Sequence, residues 1–186
     1  MKELYGRAVP LEAMLAARDA RAARQKAWLE RHRVPLVCLT LNVAGPIKVT
    51  EWIHKGFEEA VRLTQAQLGR HGVPVRAFAR TEAFTGLEAM WAADFGAPSL
   101  KRMLCQIEAH GRFGRLLDLD VIGTDGDKIS REDIGLAPRR CLLCGGEAAA
   151  CARSRAHSVA ELFQETEQIL RAYFEDAHAD RVAGLC

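Results

Sequence analysis

Apolar positions recur along this chain in two rhythms, one suited to helices and one to strands. Between residues 10 and 31, Leu11, Met14, Leu15, Ala22 and Leu29 fall at helical spacing. Pro10 stands near the first turn, where its missing N–H costs nothing. Val34 to Val43 is dense in β-branched and aliphatic residues and predicts a strand, closed by Ala44-Gly45-Pro46. Residues 51–70 return to the helical period, with Ile53, Phe57, Ala60, Val61, Thr64 and Leu68 on one face. His71-Gly72-Val73-Pro74 ends that helix. Val75 to Thr81 predicts a short strand, and 82–96 fits neither rhythm. Pro98 to about Glu108 predicts a helix, with a strand over Leu104–Ile107 as the competing reading.

Leu116 to Ile122 alternates as a strand does, and Gly123-Thr124-Asp125-Gly126-Asp127 is a strong turn signal. Lys128 to Arg131 is expected to return as its hairpin partner. Ser158 and Glu161 form a capping box that opens a last helix, with Leu162, Phe163, Thr166, Ile169, Leu170 and Tyr173 inward. No internal repeat or linker interrupts the pattern. The expectation is one domain over 1–186, of α/β or α+β class, with a mixed sheet flanked by helices.

Composition changes this picture little. A chain of 186 residues, 49% hydrophobic and 27% charged, has the make-up of a soluble globular protein with a full core. No apolar run approaches the length that spans a bilayer, and the first residues lack a signal-peptide core, so a cytoplasmic protein without a membrane partner is expected. A net charge of +2 argues against a nucleic-acid partner. The distribution is more informative. Residues 1–40 carry eight basic and four acidic side chains, and 138–157 carry four arginines against Glu147 alone. Local basic patches on a near-neutral chain suit a small polyanion.

The strand over 116–122 holds the sharpest chemistry. Asp118 and Asp120 share one face, while Leu117, Leu119 and Val121 take the other. Adjacent carboxylates repel unless a cation lies with them. Mg²⁺ meets that need, drawing its other oxygens from water and phosphates, as in phosphoryl and nucleotidyl transferases. The bland alternative is a solvated strand of alternating polarity. On the first helix, Arg18 and Gln25 fall within the apolar stripe, Arg21 at its margin, and Asp19 and Arg24 away from it. They form an internal salt bridge or snorkelling stems, or they look into a ligand cleft. Gly45-Pro46-Ile47-Lys48 is a turn first, and a weak phosphate-loop candidate second.

Cys141-x2-Cys144-x6-Cys151-x5-His157 has the ligand types of a tetrahedral Zn²⁺ site. Small buried thiols around a turn are the competing reading. Either way this Cys-rich knuckle, about 138–157, carries Arg139, Arg140, Arg153 and Arg155, whose planar forks suit a diphosphate. Cys38, Cys105 and Cys186 have no comparable neighbours.

Longer motifs then stand out: Gly114-Arg115-Leu116-x-Asp118-x-Asp120-Val121, Ile129-Ser130-Arg131, Pro138-Arg139-Arg140-Cys141-Leu142-Leu143-Cys144, Cys151-Ala152-Arg153 and His157. With Arg18-Asp19-x-Arg21-x-x-Arg24-Gln25, Trp28-Leu29, Val34-Pro35-Leu36 and Gly45-Pro46-Ile47-Lys48, the chain resembles the apo-citrate lyase phosphoribosyl-dephospho-CoA transferases. These are also called the holo-acyl-carrier-protein synthases of citrate lyase. The likeness runs from about residue 8 into the last helix. It implies transfer of 2′-(5″-phosphoribosyl)-3′-dephospho-CoA from its triphosphate, triphosphoribosyl-dephospho-CoA, to a serine of the citrate lyase acyl-carrier (γ) subunit, with pyrophosphate leaving.

In that reading Asp118 and Asp120 are catalytic and hold Mg²⁺, and Arg115, Arg139, Arg140, Arg153 and Lys48 grip phosphates. Arg18, Arg21, Arg24 and Gln25 serve the CoA-like part or the carrier. The partner supplies the attacking hydroxyl. The analogous transferase of malonate decarboxylase resembles nucleotidyltransferases through Gly-Ser ahead of Asp-x-Asp, where this chain has Gly114-Arg115. A nucleotidyltransferase-like arrangement at the Asp-x-Asp strand is therefore the expectation. Where the citrate lyase family usually has His-Pro-Leu, this chain has Gly111-Arg112-Phe113, with His110 displaced. A third carboxylate is open among Glu108, Asp125, Asp127 and Asp133. The competing functions are a zinc-knuckle binding module without chemistry, and the same transfer to the malonate decarboxylase carrier.

Overall fold

The computed structural model describes residues 4–183, with side chains described as far as residue 175. Cys186 lies outside the described residues. In chain order the elements are α1 (Leu11–His32), β1 (Leu36–Leu41), α2 (Glu51–Arg70), β2 (Val75–Ala83), β3 (Gly86–Ala93), α3 (Ala97–Ala109), a single turn α4 (Gly111–Gly114), β4 (Leu117–Ile122), α5 (Ala148–Ser154) and α6 (Val159–Ala183). The hairpin partner expected over 128–131 is cut short, and a 3₁₀ turn at Glu132–Ile134 follows it. Lys128 makes one isolated bridge to Ile122 and goes no further, because Ser130 and Asp133 bond each other and turn the chain away.

The four strands lie in the order β2-β3-β1-β4. Every pairing is antiparallel, so the expectation of a mixed sheet is corrected. The reason lies in the connections. Each helical crossover, β1–α2–β2 and β3–α3–β4, joins strands that run the same way but leaves a space of one strand between them. β3 fills one space and β1 the other. The hairpin of β2 and β3 accounts for the unread stretch 82–96, and Leu104–Ile107 is helical.

One face of the sheet carries the main core. Val37 and Leu39 of β1, Ala89 and Trp91 of β3, and Leu117, Leu119 and Val121 of β4 pack there with Ile53, Phe57 and Leu68 of α2 and Leu100 and Leu104 of α3. Ile169 and Leu170 of α6 close the same cluster. At Gly56 of α2 an added methyl would meet Leu170, so the close approach of α2 and α6 requires glycine. The other face carries a smaller cluster of Val34, Leu36 and Ala92, covered by Trp28 and Leu29 of α1.

α1 departs from expectation. None of its residues is buried, and Leu11 and Leu15 are 72% and 48% exposed. The helix meets the sheet through its later turns, and its first half overhangs a cleft. Among the described residues no helix is long and apolar enough to cross a membrane.

The free edge of β4 is sealed by side chains. Lys101 donates to the Leu119 carbonyl at 2.7 Å, Glu108 accepts from the Leu119 N–H at 3.0 Å, Arg139 donates to the Leu117 carbonyl, and Ile129 N–H bonds Val121. Lys101 and Glu108 are both buried.

Candidate functional site

β4 begins where it does because α4 turns the chain sharply under α3. A methyl on Gly114 would lie 2.3 Å from the Ile107 carbonyl, so the turn admits only glycine. From there the strand sends Asp118 and Asp120 to the α1 face, opposite Thr40 and Cys38 of β1. Each carboxylate has a side-chain cation. Arg139 donates to Asp118 at 3.1 Å, and Lys128 pairs with Asp120 at 2.7 Å. Burial, then the charge of Asp120, pushes the Asp118 carboxyl above its ordinary range, and Arg139 and Lys128 pull the other way.

Arg139 is held from behind. Its guanidinium lies 3.4 Å from buried Glu108, which also pairs with Arg131. Glu108 is thus the acidic residue joined to Asp118 through a shared arginine. Asp125 and Asp133 serve turns: Asp125 accepts from the Asp127 N–H, and Asp133 from the Ser130 N–H. Position 108 lies on the inward stripe of α3 with Leu100 and Leu104, four residues apart each time. A carboxylate on an apolar stripe was the readable signal. Lys101 stands out in the same way.

Asp118 opens into a cleft of about 220 Å³. Arg18 and Arg21 of α1, Lys48 of the 43–48 loop, and Thr40 and Asn42 line it with Asp118. Lys48 donates to the Val43 carbonyl at 2.6 Å, which closes the loop. Burial, then the neighbouring Arg18, lowers its ammonium below the usual lysine range. The loop needs Gly45 at φ +83°, a conformation other residues adopt rarely. Three basic side chains therefore line one cavity with Asp118, although Arg21 is itself paired with Glu88.

Further along α1, Arg21 and Arg24 both clasp Glu88 of β3, with Arg21 Nε donating at 2.8 Å. Gln25 donates to the Cys38 thiol at 3.3 Å, and burial pushes that thiol up to about 12. Arg24 is thus turned to the sheet, although its spacing set it apart from the apolar stripe. The internal-salt-bridge reading describes Arg21 and Arg24, and the cleft reading describes Arg18.

The remaining arginines lie elsewhere. Arg115 spends its guanidinium on the Cys141 carbonyl. Arg153 pairs with Glu147 at 3.8 Å. Arg140 joins Arg115 on a second cleft beside the cysteines. His110 is exposed.

The thiols of Cys141, Cys144 and Cys151 and a ring nitrogen of His157 lie within 4.8 Å of one another. A turn closed by the Cys141 N–H on the Gly146 carbonyl carries Cys144 back toward α5, which supplies Cys151 at 3.5 Å. The left-handed backbone of Arg155, φ 51°, then reverses the chain and brings in His157. The Nε2 atom of His157 is buried without a hydrogen-bond partner. Hydrogen bonds from the Gly146 N–H, His157 and the other thiols lower Cys144 to about 6, and Cys151 is raised to about 11. Three thiols and an imidazole nitrogen within this separation could together hold a metal ion.

A family model described as apo-citrate lyase phosphoribosyl-dephospho-CoA transferase matches residues 9–173. Proteins of that same name from Escherichia coli O7:K1 and Escherichia coli O6:K15:H31 are each 39% identical over 163 residues, 88% of this chain and 89% of theirs. One from Shigella boydii serotype 18 is 38% identical over the same extent.

Proposed function

Because the chain belongs to the apo-citrate lyase phosphoribosyl-dephospho-CoA transferase family, we propose that the cleft at Asp118 is where its group transfer occurs. The enzyme moves phosphoribosyl-dephospho-CoA from triphosphoribosyl-dephospho-CoA to a serine of the citrate lyase acyl-carrier (γ) subunit. The serine oxygen bonds to the α-phosphorus, the bond from that phosphorus to the bridging oxygen breaks, and pyrophosphate leaves with the electron pair. The observation that carries this reading is the lining of one cavity by Asp118 with Arg18, Arg21 and Lys48.

Two carboxylates on one face suit Mg²⁺, which keeps most of its shell for water and phosphate oxygens. When bound, that ion neutralises charge on the leaving diphosphate. Asp118 and Asp120 hold it, and Lys128 and Arg139 balance the pair in its absence. Arg18 and Lys48 bind and orient the triphosphate, pre-set for the charge that builds during transfer, while Arg21 lines the same cleft with its guanidinium held on Glu88. Either aspartate could help take the proton of the incoming hydroxyl, although a carboxylate that holds the metal is a weak base. Arg24 and Gln25 act through Glu88 and Cys38, holding α1 over the sheet. Cys141, Cys144, Cys151 and His157 would hold Zn²⁺ as a structural ion, since three thiols and an imidazole are the usual ligand set of such sites. Five unpaired cysteines among the described residues favour a reducing, cytoplasmic setting.

Intact mass of the apo γ subunit, incubated with enzyme, Mg²⁺ and precursor, tests the reading. A gain equal to the phosphoribosyl-dephospho-CoA group, lost in a folded Asp118→Asn variant, is expected. No gain with competent precursor and carrier refutes the transfer. A gain retained by the variant refutes the role of Asp118.

A further inference from the structure

We propose that the second cleft, between the cysteine knuckle and the start of α6, binds the dephospho-CoA arm of the precursor, with Arg140 and Arg155 receiving its diphosphate. This rests on the transferase reading above and adds a separate place for the part of the substrate that does not react.

Size separates the two clefts. The one at Asp118 holds about 220 Å³, enough for a polyphosphate chain with its metal, while the second holds about 490 Å³. Dephospho-CoA is long, with an adenosine and an apolar pantetheine joined by a diphosphate, and needs the larger volume.

Charge points the same way. Arg115, Arg140 and Arg155 line the second cleft, and no acidic side chain does. Arg115 is committed to the Cys141 carbonyl. The guanidinium groups of Arg140 and Arg155 have no hydrogen bond or ion pair among the described residues, although acids stand nearby in sequence. Two uncommitted forks beside one cavity match the oxygens of a diphosphate.

Apolar Leu142, Ala152, Val159 and Leu162 also line the cleft. An anion with an apolar body fits such a surface better than free phosphate does. The connection is Asn42, which lines both cavities. The partition between them is the loop that follows Asn42, seated through Gly45 against Val159 of α6. A ligand lying across Asn42 would have access to both cavities.

Calorimetric titration with dephospho-CoA itself tests this, using wild type, an Arg140→Ala/Arg155→Ala variant, and Ala152→Trp, which fills the cleft without altering its charge. Titration with Mg²⁺ and pyrophosphate reports on the Asp118 cleft in the same proteins. Both variants are expected to bind dephospho-CoA at least about tenfold more weakly, the size of a lost charged hydrogen bond, with pyrophosphate binding unchanged. Undiminished dephospho-CoA affinity in both variants overturns the proposal, as does the absence of binding to wild type. Weakened binding of the apo carrier with dephospho-CoA affinity intact also overturns it and gives the cleft to the carrier protein. The mass-gain assay fails or succeeds independently: transfer without Arg140 and Arg155 dependence refutes this cleft alone, and dependent binding without transfer refutes the reaction alone.

Discussion

Replacing Glu108 by alanine removes the centre of the network behind Asp118. Its side chain is 2% exposed, and its partners Arg131 and Arg139 are 21% and 28% exposed. Taking one partner from a buried ion pair costs roughly 3–5 kcal/mol, because the other charge is left without compensation. Both arginines keep some water here, which sets the expectation at the lower end, about 3 kcal/mol. Glu108→Gln retains an acceptor for the Leu119 N–H and loses only the charge, so about 1–2 kcal/mol is expected. Urea denaturation reads both. With a slope of about 2 kcal/mol per molar, the alanine variant unfolds about 1.5 M earlier than wild type. An alanine variant within about 0.5 kcal/mol of wild type refutes the network as a stabilising element. Kinetics of the glutamine variant separate positioning from ligation. If Glu108 acts by holding Arg139, kcat falls while the Mg²⁺ concentration for half-activity stays put. A shift in that concentration refutes the positioning role.

Asp118→Asn is expected to abolish transfer and leave the fold as stable or more so at neutral pH, because its surroundings disfavour the charge. The sign follows from the raised carboxyl: above its ordinary value of 3.8 the folded chain holds this proton longer than the unfolded one, so stability falls as pH rises through that window. Urea midpoints from about pH 4 to about pH 6 should therefore decline more in wild type than in the variant, and parallel curves refute the assignment. Lys128→Gln removes the cation on Asp120 and should lower the Mg²⁺ concentration for half-activity; an unchanged value refutes the competition. Protein grown with zinc should carry one ion per chain by elemental analysis, lost in Cys141→Ser, with a lower Tm after chelation; metal-free protein with an unaltered melt refutes the site. Gly114→Ala drives a methyl against the Ile107 carbonyl and should cost a few kcal/mol, about the scale of core overpacking; a wild-type urea midpoint refutes it.

The helices were legible where a single face meets a single layer. α2 and α6 lie on the main core with strict periodicity, so their inward residues read from spacing, with the exception of Leu162, which lines the second cleft. α1 misled because its apolar side chains are spread along a helix that touches the sheet over its later turns, which leaves Leu11 and Leu15 in solvent. β3 was unreadable for the opposite reason. It is a central strand in which buried Leu87, Ala89 and Trp91 alternate with half-buried Glu88 and Met90, but Met90, Ala92 and Ala93 are apolar as well, so Glu88 alone marks the outward face in the sequence. The antiparallel order of the whole sheet is a property of how two crossovers interleave, and no local pattern encodes it. Asp118, Asp120 and the four metal-ligand types were visible because their residue types and spacing are unusual. What the sequence withheld was the sorting of arginines: Arg139 and Arg140 are neighbours in the chain, yet Arg139 is held on Asp118 and Glu108 while Arg140 lines the second cleft.

The sealed edge of β4 has a consequence for how a carrier protein can be met. A strand with open N–H and C=O groups invites another chain to extend the sheet, in productive docking as much as in aggregation. Here Lys101, Glu108, Arg139 and Ile129 take those groups from within the molecule. The edge beside the two aspartates offers little backbone template. A partner arriving there must be recognised by side chains and charge, and it can leave again once its serine is loaded, with no shared sheet to unzip.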